Sequence, residues 1–193
     1  MKKNLKEIIK NHFFEHNNVL NTTNSLLLDK INKAAQLMAS SIKKNGTIFW
    51  CGNGGSASDS MHLSAELVGR FKKNRKPLKS ISLSGNPSTL TCISNDFGYR
   101  HVFSRQFEAL AKKNDILVAI STSGNSHNII RVLDVAKKKK IKSISFLGNK
   151  GGRCKNKAFL SLIIPSFSTA RIQEMHIFIG HILCDLIERK LNL

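Results

Sequence analysis

The chain has 193 residues, 41% of them hydrophobic, and a formal net charge of +19. That length and apolar fraction suit one domain with a substantial core. Cys51, Cys92, Cys154 and Cys184 lie far apart with no CxxC pair, which fits reduced cytosolic thiols and disfavours a disulfide frame or a cysteine zinc site.

Met1-Lys2-Lys3 is followed by no apolar core of signal-peptide length, and no apolar run is long enough to span a membrane. The chain therefore reads as soluble and cytoplasmic. Leu5, Ile8, Ile9, Phe13 and Phe14 recur at helical spacing and predict an amphipathic helix over about Lys3–Asn18. A polar stretch rich in Asn and Thr separates it from a second helix, about Asn21–Lys44. Residues 1–45 thus read as a helical extension of a single domain spanning 1–193. Beyond it, apolar and β-branched runs at Thr47–Cys51, Leu78–Leu83, Asp115–Ser121, Ile141–Leu147 and Phe159–Ile164 alternate with helical patterns. Those patterns fall near Ser56–Arg70, Ser88–Ile93, Val102–Lys112, Asn125–Lys140 and Thr169–Lys190.

Such alternation predicts an α/β fold: a three-layer, doubly wound, five-stranded parallel sheet with helices on both faces. In the strand order 2-1-3-4-5 the first and third strands are neighbours, and the crevice beyond their C-terminal ends is the usual ligand site. The lysines are spread along the chain, and no aromatic residues interleave with their densest cluster. The densest cluster, Lys137–Lys140 with Lys142, sits at a predicted helix end, where cations suit the helix dipole. No nucleic-acid or membrane partner is expected; a basic surface would instead attract small phosphorylated molecules.

The first predicted strand runs into Gly52-Asn53-Gly54-Gly55-Ser56, which opens a helix. Glycines let backbone N–H groups approach an anion at a helix N-terminus. No Gly-Lys-Ser/Thr follows and the GxGxxG spacing is missing, so neither a P-loop nor a dinucleotide loop fits. Taken alone, the loop also admits a plain tight turn, the weaker of the two readings. The third strand ends in Ser121-Thr122-Ser123-Gly124-Asn125-Ser126, whose hydroxyls beside a helix N-terminus suit a phosphate monoester or, more simply, a helix cap. Topology would bring both loops to one crevice.

His62 and Glu66 share a helix face at i, i+4 and read either as an exposed pair or as ligands. Gln173, His176 and His181 lie in a largely apolar last helix, where polar groups need partners and a histidine is often a satisfied core residue. His62, Glu66, Gln173 and His181 together would make a four-ligand N/O site suited to zinc. Gln173 and His181 are separated by about 12 Å along a helix, a span that a subunit interface would help to close.

These segments, with Asn95-Asp96-Phe97-Gly98-Tyr99-Arg100-His101 and Arg171-Ile172-Gln173-Glu174-Met175-His176, resemble the phosphoheptose isomerases. Those are the sedoheptulose 7-phosphate isomerases of heptose biosynthesis, within the sugar isomerase (SIS) domains. Order and spacing match over nearly the whole chain, the helical N-terminal extension included. The resemblance implies a homotetramer that binds a sugar phosphate and one zinc ion per subunit through His62, Glu66, Gln173 and His181. It implies substrate contacts from Asn53, Gly54, Gly55, Asn95, Asp96, Ser121, Thr122, Ser123 and Ser126, with Glu66 and Gln173. It further implies Glu66 as base and His181 as acid, with Asp59 at an acidic family position able to share the proton work. Asn86-Pro87 departs from the acidic residue and Ser or Thr of many relatives. Two other SIS-domain roles stay open here: a non-catalytic protein that binds a replication initiator, and an isomerase of another sugar phosphate.

Overall fold

The computed structural model describes residues 4–193. Lys3, the expected start of the first helix, lies outside the described residues. The elements alternate as expected: α1 Leu5–Lys43, β1 Ile48–Cys51, α2 Gly55–Val68, β2 Ser80–Ser82, α3 Pro87–Phe97, α4 Val102–Leu110, β3 Ile116–Ser121, α5 His127–Lys138, β4 Lys142–Leu147, β5 Leu160–Ile163 and α6 Thr169–Lys190. Short 3-10 turns at Tyr99–His101 and Asn149–Cys154 complete the chain.

All four strand pairings are parallel and the order is β2-β1-β3-β4-β5. Alternate residues of each strand feed opposite faces, as the strand's two-residue period requires. Ile48 and Trp50 of β1, Val118 and Ile120 of β3, and Ile144 and Phe146 of β4 pack under α1, α2 and α6. Phe49, Leu117 and Ala119 pack with Val102, Phe103 and Phe107 of α4 and Ile129, Val132 and Leu133 of α5 on the other face.

One expectation fails. The Asn- and Thr-rich stretch does not divide the first helix; α1 is continuous for 39 residues. Asn and Thr weaken a helix but do not break it as Pro or Gly would. Their polar groups are absorbed locally: Thr22 Oγ1 donates to Asn18 O at 2.8 Å, and Ser25 Oγ to Thr22 O at 2.9 Å. Val19, Leu20, Leu27 and Ile31 meanwhile pack into the core, so tertiary burial carries the helix through its weak segment.

Polar contacts join α1 to α6 near the start of the latter. His16 Nδ1 lies 2.7 Å from Glu174 Oε2, and Arg171, which also pairs with Glu174, donates to His12 O at 3.0 Å. The four cysteines are free thiols, three of them buried. Among the described residues, no helix is long and apolar enough to cross a membrane.

Candidate functional site

The parallel sheet brings the C-terminal ends of β1 and β3 side by side, with Cys51 opposite Ala119. The GNGGS and STSGNS loops therefore rise from adjacent strands and face one crevice, at the switch point where such sheets hold ligands. Gly54 (φ 55°) is the N-cap residue of α2 and Ser126 that of α5, and neither N-cap residue makes a side-chain hydrogen bond to its helix. Ser126 Oγ instead meets Ser121 Oγ at 3.2 Å. The serine loop is thus no ordinary cap. Ser56 N and Ala57 N of α2 already donate to Asn53 O and Gly54 O, and Ile129 N of α5 to Asn128 Oδ1, which leaves Gly55 N, His127 N and Asn128 N for an anion.

Asn128 and Tyr99, which sequence reasoning missed, lock the crevice through the expected Asn53. Asn53 and the buried Asn128 exchange amide hydrogen bonds: Asn53 Nδ2 donates to Asn128 Oδ1 at 3.0 Å, and Asn128 Nδ2 to Asn53 Oδ1 at 2.8 Å. Tyr99 Oη donates to the same Asn53 oxygen at 2.9 Å. The pair staples one loop to the other helix across 75 residues of chain. Only an asparagine two residues past Ser126 hinted at this. Asn95 and Asp96 lie one turn before Tyr99, exposed, with Asn95 Nδ2 donating to Asp96 Oδ1 at 2.8 Å. The Asn86-Pro87 departure starts α3: Asn86 Oδ1 accepts Thr89 N at 3.0 Å, and Pro87 takes the first helical position.

A turn after β4, also unread in the sequence, braces the serine loop from behind. Asn149 Nδ2 donates to Thr122 O at 3.2 Å, Cys154 N to Gly124 O at 2.9 Å, and Arg153 N to Asn125 Oδ1 at 3.0 Å. Ser123 Oγ accepts from Asn125 N at 3.2 Å.

At the side of the crevice, α2 and α6 run together. His62 Nε2 lies 3.1 Å from Glu66 Oε1 and 3.3 Å from His181 Nε2. One ligand atom from each of these three residues lies within 4.8 Å of the others. Between two imidazole nitrogens and a carboxylate there are too few protons to satisfy every pairing. Three lone pairs converging on one point suit a cation, and N,N,O donors suit zinc. Gln173 is placed elsewhere: its amide packs on Gly55, where an added Cβ would sit 2.5 Å from Nε2, roughly two turns before His62. The chain thus brings His62, Glu66 and His181 together and sets Gln173 at the mouth of the glycine loop.

Asp59, one turn before His62 on α2, is half-buried, and its Oδ2 has no hydrogen-bond partner. Burial pushes its carboxyl up to about 6, with His62 pulling the other way. That value suits a group that both takes and returns a proton near neutral pH. His176 lies apart from the crevice. It is fully buried, with Nε2 3.2 Å from Leu147 O, and burial takes it down to about 4. It is a neutral core residue and not part of the site.

Comparison with known proteins agrees with this geometry. The SIS domain family model matches residues 12–148. The phosphoheptose isomerase of Helicobacter pylori strain 26695 is 46% identical over 185 residues, covering 96% of this chain and 96% of that protein. That of Nitratiruptor sp. is 47% identical over 182 residues, covering 94% and 97%. The solved phosphoheptose isomerase of Neisseria gonorrhoeae superposes with a TM-score of 0.90 at 38% identity, covering 96% of this chain and 100% of that one. The one from Francisella tularensis gives 0.93 at 33% identity, covering 96% and 99%. A shared fold, near-complete coverage and this level of identity place the chain in the SIS-domain family, as a member of the phosphoheptose isomerases.

Proposed function

We propose that the protein converts sedoheptulose 7-phosphate into D-glycero-D-manno-heptose 7-phosphate, the entry step to activated heptoses. The observation that carries this reading is the crevice itself. Two uncapped helix N-termini and a serine-rich loop stand beside a convergent His62–Glu66–His181 triplet. The first part suits a phosphate and the second suits proton transfer at a carbonyl.

Ser121, Thr122, Ser123 and Ser126 take the phosphate with the N-terminus of α5. Asn53, Gly54, Gly55, Asn95, Asp96 and Gln173 line the sugar's path. Glu66 removes a proton from C1. The C–H electron pair becomes the C1–C2 double bond, and the C2 carbonyl oxygen takes the negative charge. His181 protonates the C2 oxygen, the C1 hydroxyl then gives its proton to Asp59 as C1 becomes the aldehyde, and the C1–C2 electron pair takes the proton held by Glu66 at C2. Asp59, held near neutrality, relays protons between the two oxygens. His62, Glu66 and His181 would hold zinc, which would supply Lewis-acid polarisation of the carbonyl, while Gln173, the fourth expected ligand, sits at the glycine loop. Glu66 weakens as a base when it ligates a cation, which is a reason for Asp59 to share the work.

The working form is a cytoplasmic homotetramer. In its support, Leu5, Phe13 and Phe14 of α1 are 75%, 70% and 66% exposed, more apolar surface than one helix leaves to water without a partner. The deciding experiment incubates purified protein with sedoheptulose 7-phosphate and follows aldose formation with and without a chelator, alongside elemental analysis. Turnover that chelation removes and zinc restores is expected. No aldose with zinc present would refute the reading, and full activity in metal-free protein would refute its zinc part.

A further inference from the structure

Glu188 lies near the end of α6 among Ile187, Arg189 and Lys190, a composition that reads as a solvated helix end, yet it is 1% exposed. Burial alone would push its carboxyl up. The backbone N–H groups of Lys72, Lys73 and Phe71, together with the Arg75 guanidinium, overcome that and hold it below the ordinary range. Lys72 N and Lys73 N each donate to Oε2 at 3.1 Å; Phe71 N and Arg75 Nε donate to Oε1 at 3.3 and 2.9 Å. Arg75 reaches onward to the last turn of α2, donating from Nη2 to Glu66 O and from Nη1 to Leu67 O, both at 2.9 Å. One buried ion pair therefore ties the helix of His62 and Glu66 to the helix of His181. The turn it holds lays the Phe71 ring flat against His181, with centroids 5.6 Å apart and planes 17° from parallel. The His62 ring meets His181 at 5.0 Å and 65°.

We propose that Phe71, anchored through Glu188 and Arg75, is a positioning residue that fixes the plane of the His181 imidazole. This rests on the isomerase reading only in assigning His181 its proton. The outer torsion of a histidine is broad, so the ring needs walls to hold one plane. His181 has two: Phe71 and His62. Nε2 lies roughly 0.7 Å off that torsion axis, so a ring without walls that turns by about 90° carries Nε2 through roughly 1 Å, and a misplacement of that size costs on the order of 100-fold in rate.

The test compares wild type with Phe71→Leu, which keeps bulk but loses the flat face, and Phe71→Tyr, which keeps it. Phe71→Leu should lower kcat about 10- to 100-fold with KM within about threefold, and Phe71→Tyr should restore kcat. NMR of histidine-labelled protein gives a readout independent of turnover. The His181 ring protons, assigned by their loss in His181→Gln, should carry a ring-current displacement in wild type and Phe71→Tyr that vanishes in Phe71→Leu. Wild-type kcat in Phe71→Leu, a loss confined to KM, or no displacement in wild type would each overturn the proposal. A wild-type enzyme inactive on sedoheptulose 7-phosphate would instead sink the isomerase reading and leave the ring-current result to judge the stacking.

Discussion

Gly124 sits in the middle of the serine loop at φ 65°, pressed against the turn that follows β4. An added Cβ would run into Gly151 O, lie 2.5 Å from Gly151 C and lie 2.9 Å from Gly152 N, all backbone atoms. Those atoms cannot swing away as a side-chain tip would. Gly124→Ala therefore carries two costs: about 1–2 kcal/mol for the left-handed backbone and about 1–3 kcal/mol for forcing two packed loops apart. The sum, roughly 2–5 kcal/mol, falls on the loops that hold Thr122 and Ser123 in place. Urea unfolding should show that loss, and KM for sedoheptulose 7-phosphate should rise in the folded fraction. Gly85→Ala serves as control, because its Cβ would meet Ser82 O at 3.6 Å and Met61 at 3.8 Å, ordinary contact distances. It should change stability by less than about 0.5 kcal/mol. If Gly124→Ala matches Gly85→Ala in both stability and KM, the bracing of the phosphate loop by the β4 turn is wrong.

Glu66→Gln, which keeps shape but removes the proposed base, should cost about 100- to 10,000-fold in rate with the melting curve intact; near-normal turnover sinks the assignment. Ser123→Ala should raise KM and weaken competition by inorganic phosphate, by roughly 10- to 150-fold, while kcat falls less; an unchanged KM would leave the loop without a phosphate. His176 titrates near 4 when folded against an ordinary 6.5, so the unfolded chain binds the extra proton between those values and stability falls as pH drops through that window. Urea midpoints from pH 7 to pH 4 should decline, and His176→Gln should flatten the decline; parallel slopes would mean another group is responsible. Light scattering at micromolar concentration should give a tetramer, and a stable monomer would contradict the reading of the exposed face of α1.

Much of the fold is legible because buried parallel strands are continuous apolar runs. Phe49, Trp50, Val118 and Ile120 announce themselves by composition, and glycine or serine loops mark where each strand ends. The continuity of α1 is not legible: Asn17 to Asn24 is weak by propensity and survives only through packing against α6. In the site, His62 and Glu66 are readable because they share one helix face. Asn128, Tyr99 and Glu188 are not. Their roles depend on partners at Asn53 and at 71–75, distances along the chain that no local pattern encodes. Glu188 misleads outright, since an acidic residue beside Arg189 and Lys190 looks like solvated surface until the 71–75 turn folds over it.

The contacts of His16 with Glu174 and of His12 with Arg171 join positions 158 and 159 residues apart, nearly the two ends of the described chain. Closing so large a loop is entropically the most demanding event in assembly, and it can be rewarded only after the sheet exists to receive both helices. The central strands and their α4–α5 cover can form beforehand from nearer segments. The seam between the first helix and the last is then the late event of folding. Because His181, Gln173 and Glu188 all ride on that last helix, the molecule acquires its core before it acquires its chemistry. A newly made chain would have Phe49 already buried beneath α4, and would still be inert until its two ends meet.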